Sequence, residues 1–96
     1  MEYIAEIIWL KPEEGGRKNE IPFNTNQYGP QIKFDGLQGL WSLIVCNYQK
    51  LEEFKTLAKV CYLNKEGAPN NLRIGLEFEL YEGFKKVAYG IIKEAK

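Results

Sequence analysis

The order of hydrophobic and polar positions along the 96-residue chain predicts six β-strands separated by turns. The runs are of strand length, and Gly, Pro, Asn and Asp residues bound most of them. They cover residues 3–10, 31–34, 40–48, 56–63, 75–81 and 85–92. In the fifth run Leu76, Phe78 and Leu80 lie on one face and alternate with glutamates. In the sixth run the predicted shared face consists of Val87, Tyr89 and Ile91.

Two segments between these runs have a less regular pattern. Residues 11–30 contain the adjacent pair Gly15-Gly16 and three of the four prolines, which predicts a long loop, and loops of this length are often functional. In residues 51–58 the positions Leu51, Phe54 and Ala58 are spaced as on a helix. A short helix therefore competes there with a strand, and the pattern leaves both alternatives open.

Six short strands with at most one helical turn are typical of an all-β barrel or sandwich. Closure into a barrel removes the exposed strand edges of a small all-β domain. The chain is long enough for one domain, residues 1–96, with a single core. The residues predicted to supply much of this core are Ile7, Trp9, Phe34, Leu43, Val45, Val60, Leu76, Phe78, Leu80 and Val87.

The charge balance and the cysteines narrow the choice of environment and partner. The chain has thirteen basic and thirteen acidic residues. A domain that mainly binds phosphates normally has an excess of basic residues. Cys46 and Cys61 each lie in an apolar run and are predicted to be buried thiols in a reducing compartment. Without a signal-peptide pattern or an apolar stretch long enough to cross a bilayer, we expect a cytoplasmic location and no membrane partner.

The chain has few residues suited to catalysis. It contains no histidine, and two cysteines alone cannot form a four-ligand zinc site. The single serine, Ser42, lies in a strand run without a visible base, and the single aspartate, Asp35, precedes Gly36 as turn residues do. Glu13 and Glu14 precede two glycines, but no phosphate-binding loop spacing follows. We therefore expect no enzyme activity, no bound nucleotide, no metal and no cofactor.

Two motifs near the ends of the chain resemble a known domain. The first comprises Glu14-Gly15-Gly16-Arg17, Pro22-Phe23 and the spaced residues Tyr28, Pro30, Gln31 and Phe34. The second comprises Tyr81-Glu82-Gly83 followed by Val87 and Gly90. Together they resemble the C-terminal β-barrel domain, domain 3, of elongation factor Tu. The resemblance covers nearly the whole chain, is weak between about residues 35 and 56, and leaves the GTPase domain of that factor without a counterpart here. It implies a six-stranded antiparallel β-barrel that is closed or nearly closed.

The resemblance also implies where partners would bind. In elongation factor Tu this domain has no catalytic role; it packs against the GTPase domain and contacts the T-stem backbone of aminoacyl-tRNA. Residues 14–17 resemble the loop that faces the GTPase domain, and Glu82-Gly83 resembles the hairpin tip that approaches tRNA. The candidate partner-contacting residues are Glu14, Gly15, Gly16, Arg17, Tyr28, Gln31, Glu82, Gly83 and Lys85.

Three departures from the family pattern disfavour tRNA. Gly29 and Tyr81 stand where the family has arginines, and Lys85 replaces a third. Each replacement loses a guanidinium, whose planar fork suits phosphate. We therefore expect a non-catalytic protein-binding module that offers its long loop, or an accessible face of the barrel, to another protein. The alternative is an RNA (tRNA)-binding accessory protein of translation; a small-ligand carrier ranks last because side chains usually fill so small a barrel.

Overall fold

The structure, a computed structural model, describes residues 2–96 and consists mainly of β-strands. A 3-10 helix, Pro12–Glu14, lies between the first two strands. The strands are β1 (Tyr3–Trp9), β2 (Gln31–Lys33), β3 (Trp41–Glu52), β4 (Lys55–Tyr62), β5 (Glu77–Glu82) and β6 (Lys85–Ala95).

The six strands form a ring in which every strand pairs antiparallel with two neighbours. The order around the ring is β1-β4-β3-β2-β5-β6, and β6 pairs again with β1. The strands are unequal in length, from three residues in β2 to twelve in β3, and they are not spaced evenly around one axis. The prediction of an all-β domain with six antiparallel strands is confirmed.

The helical alternative for residues 51–58 is wrong, because β3 continues to Glu52 and turns directly into β4. Gln49 pairs with Leu57 and Glu52 with Lys55 across this hairpin. The carbonyl of Phe54 accepts a hydrogen bond from the backbone N–H of Trp9, at an N–O distance of 2.8 Å. Pairing with β1 and β3 supplies the backbone hydrogen bonds that a short helix would have made internally.

The inner face of the ring forms a single core, and nine of the ten predicted core residues are buried in it. Phe34 is the exception, because it follows the end of β2 and is only partly buried where it packs against the core. The prediction missed eight members of the core, which are Tyr3, Ala5, Ile32, Ala58, Tyr62, Leu72, Ala88 and Ile92.

The predicted face of β6 is wrong beyond Val87. Leu80 pairs with Ala88 whereas Tyr81 pairs with Lys86, so Val87 is an extra residue in a β-bulge. A one-residue shift moves all following side chains to the opposite face. Beyond the bulge, β6 therefore turns Ala88, Gly90 and Ile92 inward, while Tyr89 is exposed and Ile91 half-buried.

The prediction that the two thiols are buried is correct only in part. Cys46 on β3 and Cys61 on β4 are free and half-buried. Each alternates along its strand with fully buried neighbours, such as Val45 and Val60. The two sulfurs thus belong to the outer face of the ring, and the apolar runs that contain them do not indicate burial on both faces.

The two ends of the ring differ in what covers them. At one end lie the end of β1, the long loop, which comprises residues 10–30 in the structure, and the turns of the β3–β4 and β5–β6 hairpins. We call this the hairpin end. The opposite end carries the connections 34–40 and 63–76. Most of the candidate residues of the sequence analysis belong to the hairpin end.

Candidate functional site

The long loop begins with a tight turn that needs both of its glycines. After the 3-10 helix, Gly15 adopts a left-handed conformation with φ of 90°, which residues with a Cβ rarely adopt. A Cβ on Gly16 would lie 2.0 Å from the carbonyl oxygen of Leu10. The carboxylate of Glu14 accepts a hydrogen bond from the backbone N–H of Lys11 at 2.9 Å. The conformation of residues 14–16 is therefore determined by contacts within the loop.

Beyond this turn, three candidate residues meet in one polar cluster. A side-chain oxygen of Glu82 at the end of β5 pairs with the guanidinium of Arg17 and accepts the hydroxyl hydrogen bond of Tyr28, at 2.5 Å for the latter. The guanidinium carbon lies 5.0 Å from the centre of the Tyr28 ring, a cation–π geometry. The ring in turn contacts Trp9, with centroids 5.8 Å apart. The cluster joins the long loop to the β5–β6 hairpin across 65 residues of sequence.

This environment changes the proton affinities of two members of the cluster. Burial and the hydrogen bond to Glu82 raise the pKa of the Tyr28 hydroxyl far above its usual value. For Arg17, burial acts to lower the pKa, but the bonds to Glu82 and Tyr28 outweigh it and the pKa rises. At neutral pH, Glu82 is therefore bonded to the charged guanidinium of Arg17 and to the protonated hydroxyl of Tyr28.

A second polar network, which the sequence did not reveal, holds the far part of the long loop. The indole N–H of Trp9 donates to the Thr56 hydroxyl (2.9 Å), which donates to the Asn47 side-chain oxygen (2.7 Å). The Asn47 side-chain amide donates to the carbonyl of Pro22 (2.9 Å), and the backbone carbonyl of Asn47 accepts from the backbone N–H of Asn24 (2.8 Å). Both Asn47 and Thr56 are fully buried. The long loop is therefore attached at two places to the strands below it.

The β5–β6 hairpin extends farther from the ring than the β3–β4 hairpin does. Lys55, directly after the β3–β4 turn, pairs with Ile8 of β1, and so does Tyr89 of β6. Lys55 follows the β3–β4 turn directly, whereas four residues separate the β5–β6 turn from Tyr89. One of these four residues forms the bulge. At about 3.3 Å per residue the second turn projects roughly 10 Å beyond the first. We call residues 81–86 the projecting tip.

The projecting tip ends in a two-residue turn with an unusual exposed aromatic. Gly83 has a φ of 64° and is followed by Phe84, which has a negative φ, a combination typical of a type II′ hairpin turn. Phe84 is fully exposed, more so than any other large hydrophobic residue among residues 2–96. Lys85 beside it is exposed and makes no salt bridge to another described residue.

An open groove separates the long loop from the β3–β4 turn. It has a volume of about 540 Å³. Its apolar lining comes from Trp9, Ile21, Phe23 and Phe54, and its charged lining includes Glu20, Glu53, Lys18 and Lys50. Arg17 also borders the groove, so the Arg17–Glu82 pair connects the groove to the projecting tip. We call this groove between the long loop and the β3–β4 turn the loop groove.

The structure brings some of the candidate residues together and separates others. Arg17, Tyr28 and Glu82 form one cluster, although the resemblance assigned residues 14–17 and the hairpin tip to different partners. Gln31 lies instead on the wall of the ring, in β2, where it pairs with Tyr81. Sequence reasoning missed Asn47 and Phe84. The available signals were a polar residue inside an apolar run and an aromatic at the centre of a turn.

Comparisons with protein-family models and with curated proteins found no match to this chain. Within residues 2–96, no three His, Cys, Asp or Glu side chains are grouped so that they could hold a metal ion. The same residues include no helix of the length and apolar character needed to cross a membrane. The geometry at the hairpin end is thus the basis for any inference about function.

The raised pKa of Tyr28 predicts a loss of stability at alkaline pH. Because the folded state holds the proton more tightly, this contribution is complete below the unfolded pKa of about 10 and disappears as pH rises above it. In urea unfolding between about pH 8 and 11, the wild-type midpoint should therefore fall more steeply than that of Tyr28→Phe. Part of the slope will persist, since burial also raises the pKa of Tyr62 and Tyr81.

The matched control is Tyr48→Phe, because Tyr48 is an exposed tyrosine on β3. This variant should keep the wild-type dependence on pH. Equal slopes for Tyr28→Phe and wild type would show that the Tyr28 proton is not coupled to folding, which would contradict the raised pKa of Tyr28.

Proposed function

We propose that this chain is a non-catalytic protein-binding module with the fold of domain 3 of elongation factor Tu, a closed or nearly closed β-barrel. The ring of six antiparallel strands and the two motifs together support the fold proposal. The hairpin end is the proposed binding surface. Phe84, fully exposed on a projecting hairpin, is the observation that carries the functional proposal.

Exposure of an aromatic residue to water in this position is energetically unfavourable, and burial against a partner would remove that cost. Burying a phenylalanine side chain is worth about 1.5–3 kcal/mol relative to leaving it in water. Its immediate surroundings are ordered, because Glu82 is bonded to Arg17 and Tyr28 and the turn has few accessible conformations. An aromatic side chain presented without further ordering is well suited to be an energetic centre of an interface.

Several basic side chains already make contacts within the chain, which favours a protein over RNA as the partner. The guanidinium of Arg17 is committed to Glu82. Lys86 is paired with Glu79 (2.9 Å) and lies over the Tyr89 ring. Lys33 lies over the ring of Tyr81 (4.4 Å). Phosphate binding would have to break several of these contacts, and the zero net charge adds no long-range attraction.

The test is a pull-down from cell extract with the immobilised chain, with and without nuclease, in which retained proteins are identified by mass spectrometry. We expect a stoichiometric partner that survives nuclease and is lost with Phe84→Ser. Leu40→Ser is the matched control, because Leu40 is a largely exposed apolar residue that precedes β3 at the opposite end. Replacing residues 14–17 is a poorer test, because Arg17 and Gly16 also shape the loop.

The competing function, an RNA (tRNA)-binding accessory of translation, has a different signature. It requires retention of tRNA or ribosomes that nuclease removes and an affinity that falls steeply with salt. It also requires a loss of binding when Lys85 and Lys86 are changed to glutamate. That set of results, with Phe84→Ser still binding, would refute the protein-binding proposal.

A further inference from the structure

The hairpin end carries both a protruding aromatic residue and a groove that could receive one. We propose that two copies of this chain associate head to head, with Phe84 of each copy inserted into the loop groove of the other. This inference goes beyond the proposed function, because it concerns the purified chain alone and names a second copy as the occupant of the groove.

The first argument is the similarity of the two hairpin tips. Residues 52–55 read Glu-Glu-Phe-Lys and residues 82–85 read Glu-Gly-Phe-Lys. Phe54 packs partly against the core and its ring contributes to the groove, whereas Phe84 is fully exposed. An inserted Phe84 would meet the Phe54 ring of the other copy, and offset or edge-to-face aromatic pairs are favourable beyond the area that they bury.

The second argument is the chemistry of the groove. Trp9, Ile21 and Phe23 provide further apolar walls, and about 540 Å³ is within the range of volumes that hold small molecules larger than a benzyl group. Glu53, the exposed sequence neighbour of Phe54, also lines the groove. Lys85, which follows Phe84 and makes no salt bridge to another described residue, would therefore reach a carboxylate when the ring is inserted.

The third argument is symmetry. The projecting tip and the loop groove lie at the same end, and the Arg17–Glu82 pair joins a residue of the groove to a residue of the tip. Two copies related by a two-fold axis can therefore satisfy both sites at once, which gives a closed dimer and not an open chain of subunits. The formal net charge of zero removes the long-range repulsion that would keep two highly charged copies apart.

Sedimentation equilibrium of the purified chain, from about 5 to about 500 µM, tests the proposal over the range of moderate to weak affinities. We expect a reversible monomer–dimer equilibrium for wild type and for the control Leu40→Ser. In Phe84→Ser the dissociation constant should rise by roughly 30-fold or more, as expected for an aromatic interface centre. Because Phe84 is fully exposed in the single chain, this variant should unfold at the wild-type urea concentration when both proteins are dilute enough to be monomeric.

Charge reversal tests the register of the proposed contact. Lys18 and Lys50 also border the groove, so only the pairing of Lys85 with Glu53 predicts the following pattern. Lys85→Glu and Glu53→Lys should each weaken the dimer, and the double variant should restore most of the affinity. A wild-type monomer at the highest concentration, an equal loss with Leu40→Ser, or no restoration in the double variant would each overturn the proposal. None of these results depends on the pull-down.

Discussion

Gly90→Ala is expected to lower the free energy of unfolding by about 2 kcal/mol or more. Gly90 lies opposite Phe78 on the inner face of the β5–β6 pair. A Cβ at this position would lie 2.2 Å from the Cζ atom of the Phe78 ring and 2.5 Å from Cε1. Phe78 is buried and cannot move away without displacing other core residues. Overpacking of this kind typically costs 1–3 kcal/mol and occasionally more.

An opposing effect is smaller than the steric one. Alanine restricts the unfolded chain more than glycine does, which by itself stabilises a protein by about 0.4–1 kcal/mol. Gly29→Ala isolates that term, because Gly29 is exposed, has no positive φ, and its added Cβ would meet only the Leu43 carbonyl oxygen at 3.5 Å. This control should therefore be neutral or slightly stabilising in urea unfolding.

A double-mutant cycle identifies the cause. Phe78→Leu removes the far ring atoms that the new Cβ would strike, so Gly90→Ala should cost much less in that background than in wild type. Urea unfolding of the four proteins gives the coupling energy. A Gly90→Ala protein as stable as wild type, or equal costs in the two backgrounds, would contradict the proposed close packing of Phe78 on Gly90.

Asn47→Ala is expected to cost about 2–4 kcal/mol of stability and to loosen the long loop. The change removes the acceptor of the Thr56 hydroxyl and the donor to the Pro22 carbonyl. Each buried polar group left without a partner costs about 1–3 kcal/mol. The backbone bond from Asn24 to the Asn47 carbonyl does not involve the side chain, but the side chain that fixes the approach of the loop is lost.

Two measurements separate the global effect from the local one. Urea unfolding reports the total stability, and the rate of tryptic cleavage after Lys18 under native conditions reports opening of the loop. We expect Asn47→Ala to lower the urea midpoint and to speed this cleavage. Asn70→Ala, at an exposed position in the loop at the opposite end, should do neither. An Asn47→Ala protein with wild-type values in both assays would refute the assigned role of the network.

The candidate site could be predicted from the sequence only in part. The motif residues Arg17, Tyr28 and Glu82 were found by resemblance, and they do meet in the structure. Their mutual pairing spans 54 and 65 residues of sequence, and no local pattern specifies which distant partner a charged or phenolic side chain will have. The same holds for Asn47, whose partners lie on β4 and in the loop.

The sequence by itself determined the number of strands, their antiparallel all-β class and about half of the core, because alternation and turn residues act over a few positions. Only the tertiary structure decided three other features. Pairing with β1 made residues 51–58 a hairpin. The bulge at Val87 reversed the faces of β6, since the register of two strands is a property of both. The Arg17–Glu82 contact between loop and hairpin set the surroundings of the projecting tip, because it joins groups that are neighbours only once the ring has closed.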